Sequence, residues 1–274
     1  MPVIFISRGT VSGVHLLVDR LHQRTGIRCI SREDLQKIVN SHGELATRVV
    51  ERLAKATSAY DQFSELRWPY MVLMRQALLE EIRADNVVYH GYSGHLLLPI
   101  LKHFVRVRIE APLYLRVKMT MDRLGCDEQT ARDYILEADD HRVKWARFMY
   151  GRDIRNTLLY DLHFNQERVT TETGCGFLEH IMAAEAFQAS AESQGEVERL
   201  HLAAAVETAL VTDPRTQALE ISAVAQKDGI RLTGPYLENS ELVTVKEIAL
   251  AVDGVETVQY SPGYASKLEI NSSY

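Results

Sequence analysis

Cysteine is scarce in this chain: Cys29, Cys126 and Cys175 are the only three in 274 residues, and they lie far apart. An odd number so spaced excludes a disulfide framework and a cysteine metal-ligand pattern, and it fits a reducing compartment. Long apolar runs are missing as well; nothing approaches the roughly 18 consecutive apolar residues of a membrane span. Nor does the N-terminus show a charged region followed by a cleavable apolar stretch, because Arg8 comes after the short apolar segment. The cytoplasm is therefore the expected location. Positive charge is not in excess either. The formal net charge of −6, from 31 Lys and Arg against 37 Asp and Glu, argues against a sequence-independent nucleic-acid binder.

Hydrophobic residues make up 46% and charged residues 25%, enough apolar material for a sizeable core under an ordinary surface. At this length one large and one small domain are expected. Residues 3–7 are too uniformly apolar for a half-exposed strand and read as a buried parallel one. A helix follows at 13–25, with Val14, Leu16, Leu17, Val18 and Leu21 on its apolar side and Gly26 ending it. IRCI is then a short strand. SREDL opens a helix, with Ser31 as N-cap and Asp34 in the position that completes a capping box. Further helices are expected at 43–57 and 66–84, strands at 86–91 and 104–111, and a short helix near 96–101. Helices at 112–124 and 127–150, a strand at 160–165 and a helix at 174–190 complete the series. Strand alternating with helix predicts an α/β layer fold with a parallel sheet.

The junction VIFISRGTVSGVHLLVDRL has the layout of a phosphate-binding loop: an apolar strand, a short loop with Gly9 and Gly13, then an amphipathic helix. In such loops backbone N–H groups and a helix N-terminus converge on phosphate, a lysine neutralises its charge, and a Ser/Thr hydroxyl holds magnesium. Here the register of Gly-Lys-Ser/Thr is filled by Gly13-Val14-His15. Thr10 and Val11 are β-branched and disfavour positive φ. On the motif alone, a phosphate site and an ordinary strand–turn–helix both remain open.

The succession that follows, ISREDL, NVVYHGYSGHLLL, VRVRIEAPLYLRVKMTMDRLGCDEQTARDYILEADDHRVKWARFMYGRD and LLYDLHFN, resembles the cytidylate kinase-like family of P-loop proteins over residues 3–185. In such relatives the first loop reads like ISRQ-GSGG followed by Arg; Ser7, Arg8, Ser12 and Gly13 match, whereas Val14 and His15 depart. The resemblance implies a P-loop kinase-like parallel sheet flanked by helices. It implies ATP, with Mg2+, held on a loop of Arg8, Gly9, Ser12, Gly13, Val14 and His15. It also implies Arg116, Arg123, Arg142 and Arg147 as catalytic arginines that neutralise the transferring phosphoryl group, the last two on a lid helix within DDHRVKWARFMYG. It marks no residue as a metal ligand. Two departures point to weakened or abolished catalysis at least as readily as to altered specificity: Tyr92 stands where relatives carry an arginine between glycines, and His90 ends the strand where an acid would assist magnesium. His90, His95 and His141 are otherwise expected in surface or packing roles, and Asp139–Asp140 and Glu80–Glu81 on solvated faces.

The polar stretch SAESQGEV around 190–197 reads as a linker. Beyond it the pattern is helix at about 196–211, two strands joined at Lys227-Asp228-Gly229, a helix at about 238–251 and the strand VETVQYS. Residues 210–261 resemble a BON domain, a small α+β module of order α-β-β-α-β, through Asp213-Pro214, Asp228-Gly229, Leu232-Thr233-Gly234 and Gly254-Val255. That resemblance implies a non-catalytic unit that binds a ligand or protein partner. Its acidic excess opposes an anionic membrane surface. The expected organisation is a kinase-like domain at 1–192, a linker at 193–197, a BON-like domain at 198–265 and a tail at 266–274.

Two functions follow as expectations. One is an ATP-dependent phosphotransferase acting on a nucleoside monophosphate or other small molecule, with weakened or absent catalysis. The other is a non-catalytic regulator, a pseudokinase that binds a nucleotide or phosphorylated ligand while its BON-like domain recognises a partner. A homodimer is the default assembly.

Overall fold

Val3–Arg8 forms strand β1 because its apolar side chains are buried on both faces, which only a central strand of a covered parallel sheet allows. The computed structural model describes residues 1–41, 43–54 and 60–263. The sheet comprises β1, β2 (Arg28–Ser31), β3 (Val87–Gly91), β4 (Phe104–Glu110) and β5 (Leu162–Asn165), all parallel, in the order β2-β3-β1-β4-β5. The chain leaving β1 turns towards β2 on one side, while β4 and β5 lie on the other. The C-terminal end of β1 is thus a switch point, where open α/β sheets form a crevice.

Alternate residues of β1 serve two cores. Ile4 and Ile6 pack with Leu17 and Leu21 of α1 (Val14–Thr25) and Leu178 of α7 (Thr171–Ala183). Val3 and Phe5 pack with α2 (Arg32–Ser41), α3 (Glu44–Ala54) and α4 (Ser64–Ile82). Local signals act as the residues dictate. Ser31 and Asp34 cap each other's backbone N–H at α2, and Gly26 closes α1 at φ 69°. The expected helix at 96–101 is instead a short 3-10 turn at Gly94–Leu96. Gly94 is needed there, since a Cβ would sit 2.1 Å from the buried Tyr89 ring. The helix expected at 174–190 begins earlier, at Thr171 with Thr170 as N-cap, and ends at Ala183. The last residues of the helix expected at 43–57 lie outside the described residues.

Helices α5 (Leu113–Leu124) and α6 (Glu128–Tyr150) form a hairpin whose charged side chains reach the end of β1. Asp127 accepts the Thr130 N–H and starts α6.

Helix α8 (Ala191–Thr212) joins the second unit to the first. The expected linker at 193–197 is corrected: these residues are the opening turns of α8. Ser190 and Ser193 cap the helix reciprocally, and Val197 is buried against the first core. Polarity there reflects one exposed helix face, not a flexible connection. Further along α8, Val206 and Leu210 enter a separate core with β6 (Ser222–Gln226), β7 (Gly229–Gly234), α9 (Asn239–Leu250) and β8 (Val258–Pro262). β6 and β7 are antiparallel across a two-residue turn, and β8 runs parallel to β7. The expected tail lies outside the described residues. No helix among the described residues is long and apolar enough to cross a membrane.

Candidate anion-binding site

The loop after β1 curls as a phosphate cradle would, through an unexpected residue. Val11 sits at φ 50° and Gly13 at φ 67°, so a β-branched side chain occupies the left-handed region that it normally avoids. Helix α1 starts with no side-chain cap and no acidic residue in its first turn. The Leu16 N–H donates to the Gly13 carbonyl at 3.0 Å, and no side chain among the described residues caps the helix or offsets the positive end of its dipole. Gly9 gives its N–H to the Ile109 carbonyl at 3.0 Å. Among the described residues the buried hydroxyls of Thr10 and Ser12 have no hydrogen-bond partner, and neither do the Nε atoms of Arg8 and Arg116. Four donors around one loop are thus left wanting acceptors.

Beside the loop lies a cavity of about 180 Å³ lined by Gly9, Arg108, Glu110, Arg116, Asp139, Arg142 and Arg155 among others. Three of its arginines hold carboxylates: Arg108 with Glu110 at 2.6 Å, Arg116 with Asp139 at 2.7 Å, and Arg155 with Asp153 at 2.5 Å. Arg142 holds none among the described residues. Its Nη1 donates to the Arg8 carbonyl at 2.9 Å, and its guanidinium carbon lies 4.9 Å from the centre of the Tyr92 ring. Burial pushes Arg142 down to about 10; Tyr92 opposes the shift, and the nearby Arg8 adds to it. The group remains charged at neutral pH, with no carboxylate at ion-pair distance among the described residues, although the Asp139 charge acts on it from further off.

Tyr92, which stands where an arginine was expected, does not leave the site without support for a cation. Its ring meets both Arg142 and Arg32, the latter at 4.4 Å, and its hydroxyl accepts from Arg32. Behind the cavity Arg108 donates to the buried Ser7 hydroxyl at 3.0 Å, and the His95 ring lies 5.0 Å from that of Tyr160.

His95 is buried, and burial, aided by Arg106 and Arg108, pushes its imidazole down to about 3. The unfolded chain takes up this proton near pH 6.5 while the native state refuses it. Stability due to His95 is therefore complete above pH 6.5 and lost as pH falls towards 3. A slope of up to about 1.4 kcal/mol per pH unit is expected between pH 6 and 4. Urea unfolding across that range should show His95→Phe with about one proton less in its slope than the unaltered chain.

Of the residues picked from sequence, the structure brings Arg116 and Arg142 to the cavity, with Gly9 in its wall. Arg8 ends β1 but turns to Glu33 at 2.9 Å. Ser12 and Gly13 lie in the loop, whereas the Val14 side chain is buried in the core and His15 is exposed. Arg123 is exposed at the end of α5, and Arg147 pairs with Asp153 at 2.7 Å; neither lines the cavity. Asp139 corrects an expectation: Asp140 is exposed and pairs with Lys144, but Asp139 turns into the cavity. Arg108 and Glu110 were missed. The signal was present, because arginines at 106 and 108 inside a strand buried on both faces require partners.

The site suits phosphate better than magnesium. Guanidinium groups, an uncapped helix and unsatisfied donors complement phosphoryl oxygens. The start of α1 offers no hydroxyl in register, and both cavity carboxylates are held by arginines, Glu110 also by His163 at 3.0 Å. The described residues contain no cluster of three or more acidic, His or Cys side chains able to hold a metal ion.

A parallel five-stranded sheet flanked by helices, with a glycine-bearing loop from its central strand into a helix, defines an α/β protein of the P-loop kinase type. The model of the cytidylate kinase-like family matches residues 3–168, and the chain belongs to that family. Among solved structures, the chain is similar to an uncharacterized protein from Eubacterium ventriosum ATCC 27560, at 18% identity and a TM-score of 0.51, covering 67% of this chain and 99% of that one. It is also similar to TT1252 from Thermus thermophilus, at 17% identity, a TM-score of 0.41 and coverage of 66% and 96%. Shikimate kinase from Bacteroides thetaiotaomicron matches at 14% identity, a TM-score of 0.36 and coverage of 67% and 99%. No curated protein matches the chain.

Proposed function

We propose that this protein binds a phosphorylated ligand, foremost a nucleotide such as ATP, in the arginine-lined cavity, as a kinase-like phosphotransferase in which phosphoryl transfer is weak or absent. One observation carries the proposal: Arg142, a desolvated cation without a carboxylate partner among the described residues, is held against the loop after β1. A charge so placed favours an anion over an empty cavity. Phosphoryl transfer needs positioning and charge neutralisation together. The missing lysine and the carboxylates already taken by arginines favour binding without efficient turnover. A nucleoside monophosphate is the acceptor that family analogy suggests if transfer persists. The BON-like character of residues 210–261 adds a partner-binding role for the second unit.

Thermal unfolding of the full chain with pyrophosphate, ATP, and ATP plus magnesium tests the site. Ligand at a hundred times its Kd should add about 2.7 kcal/mol to the unfolding free energy. An unchanged midpoint with every phosphate rejects the proposal. ADP release in the presence of nucleoside monophosphates then separates a phosphotransferase from a binder.

A further inference from the structure

We infer that Asp139 is a resident competitor for phosphate: its carboxylate occupies the Arg116 guanidinium that an incoming phosphoryl group would use, so the chain weakens its own site. The inference rests on the phosphate-binding reading of the cavity and adds a regulatory element to it.

Asp139 and Arg142 lie three residues apart on α6 and both line the cavity. They act there with opposite sign. Arg116, on α5, is 14% exposed and gives Nη1 to Asp139 at 2.7 Å, while its buried Nε has no partner among the described residues. Its geometry therefore leaves donors for a further acceptor. Its charge is already matched by a carboxylate that stands in the same space. With Arg108 and Arg155 paired as well, Arg142 makes no carboxylate ion pair among the described residues, and the Asp139 charge acts on it only from further off.

A phosphate entering here must share Arg116 with Asp139 or displace it, and meets the Asp139 charge in a half-buried setting where screening is poor. Removing that charge while keeping the side-chain shape frees Arg116. The repulsion relieved grows with the charge on the ligand, so pyrophosphate gains more than orthophosphate. Asp140 supplies an internal control. It is the next residue on the same helix, carries the same charge, and pairs outward with Lys144 at 2.6 Å.

The test is calorimetric titration of the full chain with inorganic phosphate and with pyrophosphate, at constant ionic strength. The proteins compared are the unaltered chain, Asp139→Asn and Asp140→Asn, each checked for a cooperative melt; Asp139→Ser serves if the Asn variant fails to fold. Asp139→Asn should tighten pyrophosphate about tenfold, phosphate less, with Asp140→Asn within about twofold of the unaltered chain. Pyrophosphate binding confined to Asp139→Asn would support the inference most strongly. Binding by the unaltered chain with no gain, or a loss, in Asp139→Asn overturns it and makes Asp139 a support for Arg116. Absence of binding in all variants rejects the phosphate site itself.

Discussion

Glu207→Ala is expected to lower the stability of the protein by about 3–5 kcal/mol, several times the loss from any surface ion pair. Glu207, on α8, is 2% exposed and joins the two cores. One carboxylate oxygen accepts from Arg75 of α4 at 2.9 Å, and the other accepts the Ala223 N–H of β6 at 2.9 Å. Arg75 also donates Nε to the Leu97 carbonyl at 3.1 Å. Burial pushes the Glu207 carboxyl up, and Arg75 and the Ala223 N–H oppose that shift. Removing the carboxylate strands a buried guanidinium and a strand N–H together, and the cost of leaving them unpaired dominates the loss. The paired replacement Arg75→Met with Glu207→Leu removes both charges and should recover much of the stability. Urea unfolding of the single and double variants measures both, and a double variant no better than Glu207→Ala would show that packing, not charge, sets the loss.

Arg142→Met is expected to weaken pyrophosphate binding by at least about thirtyfold, because a desolvated charge contact to an anion contributes about 2–5 kcal/mol. The unliganded protein should meanwhile lose no more than about 1.5 kcal/mol, from the hydrogen bond to the Arg8 carbonyl, set against the relief of a desolvated charge. Arg142 makes no carboxylate ion pair among the described residues, and a methionine keeps apolar contact with Tyr92 without a charge to desolvate. Affinity then falls far more than stability, which a purely structural arginine would not produce. Arg147→Met, on the same helix but exposed and paired with Asp153, should leave affinity within about twofold. Titration calorimetry beside thermal melts reads both quantities, and equal losses in the two variants would remove Arg142 from the site.

Much of the site lay open to a reading of residues, and its errors have a common origin. The arginines at 142 and 147 look alike as residue types, as do Asp139 and Asp140. The structure separates each pair because a helix in contact on one side exposes the other. Tyr92 read as a lost cation contact, yet it supports Arg142 through its ring, a contact between residues fifty positions apart. The linker failed for a related reason: a polar composition describes the outer face of α8 as well as it describes a loop.

The sequence by itself determined the parallel α/β class, the strand–loop–helix at residues 3–25, the caps at Ser31 and Asp127, and the turn before Gly229. Each depends on side chains within one or two turns of each other, so local periodicity and hydrogen bonding suffice. Only the tertiary structure decided which charges meet. Arg108 comes from the sheet, Arg116 from α5, and Asp139 and Arg142 from α6; they converge at the end of β1 because strand order and the α5–α6 hairpin carry them there. The left-handed Val11 belongs to the same class of facts. A β-branched residue takes that conformation only when the surrounding fold compels it.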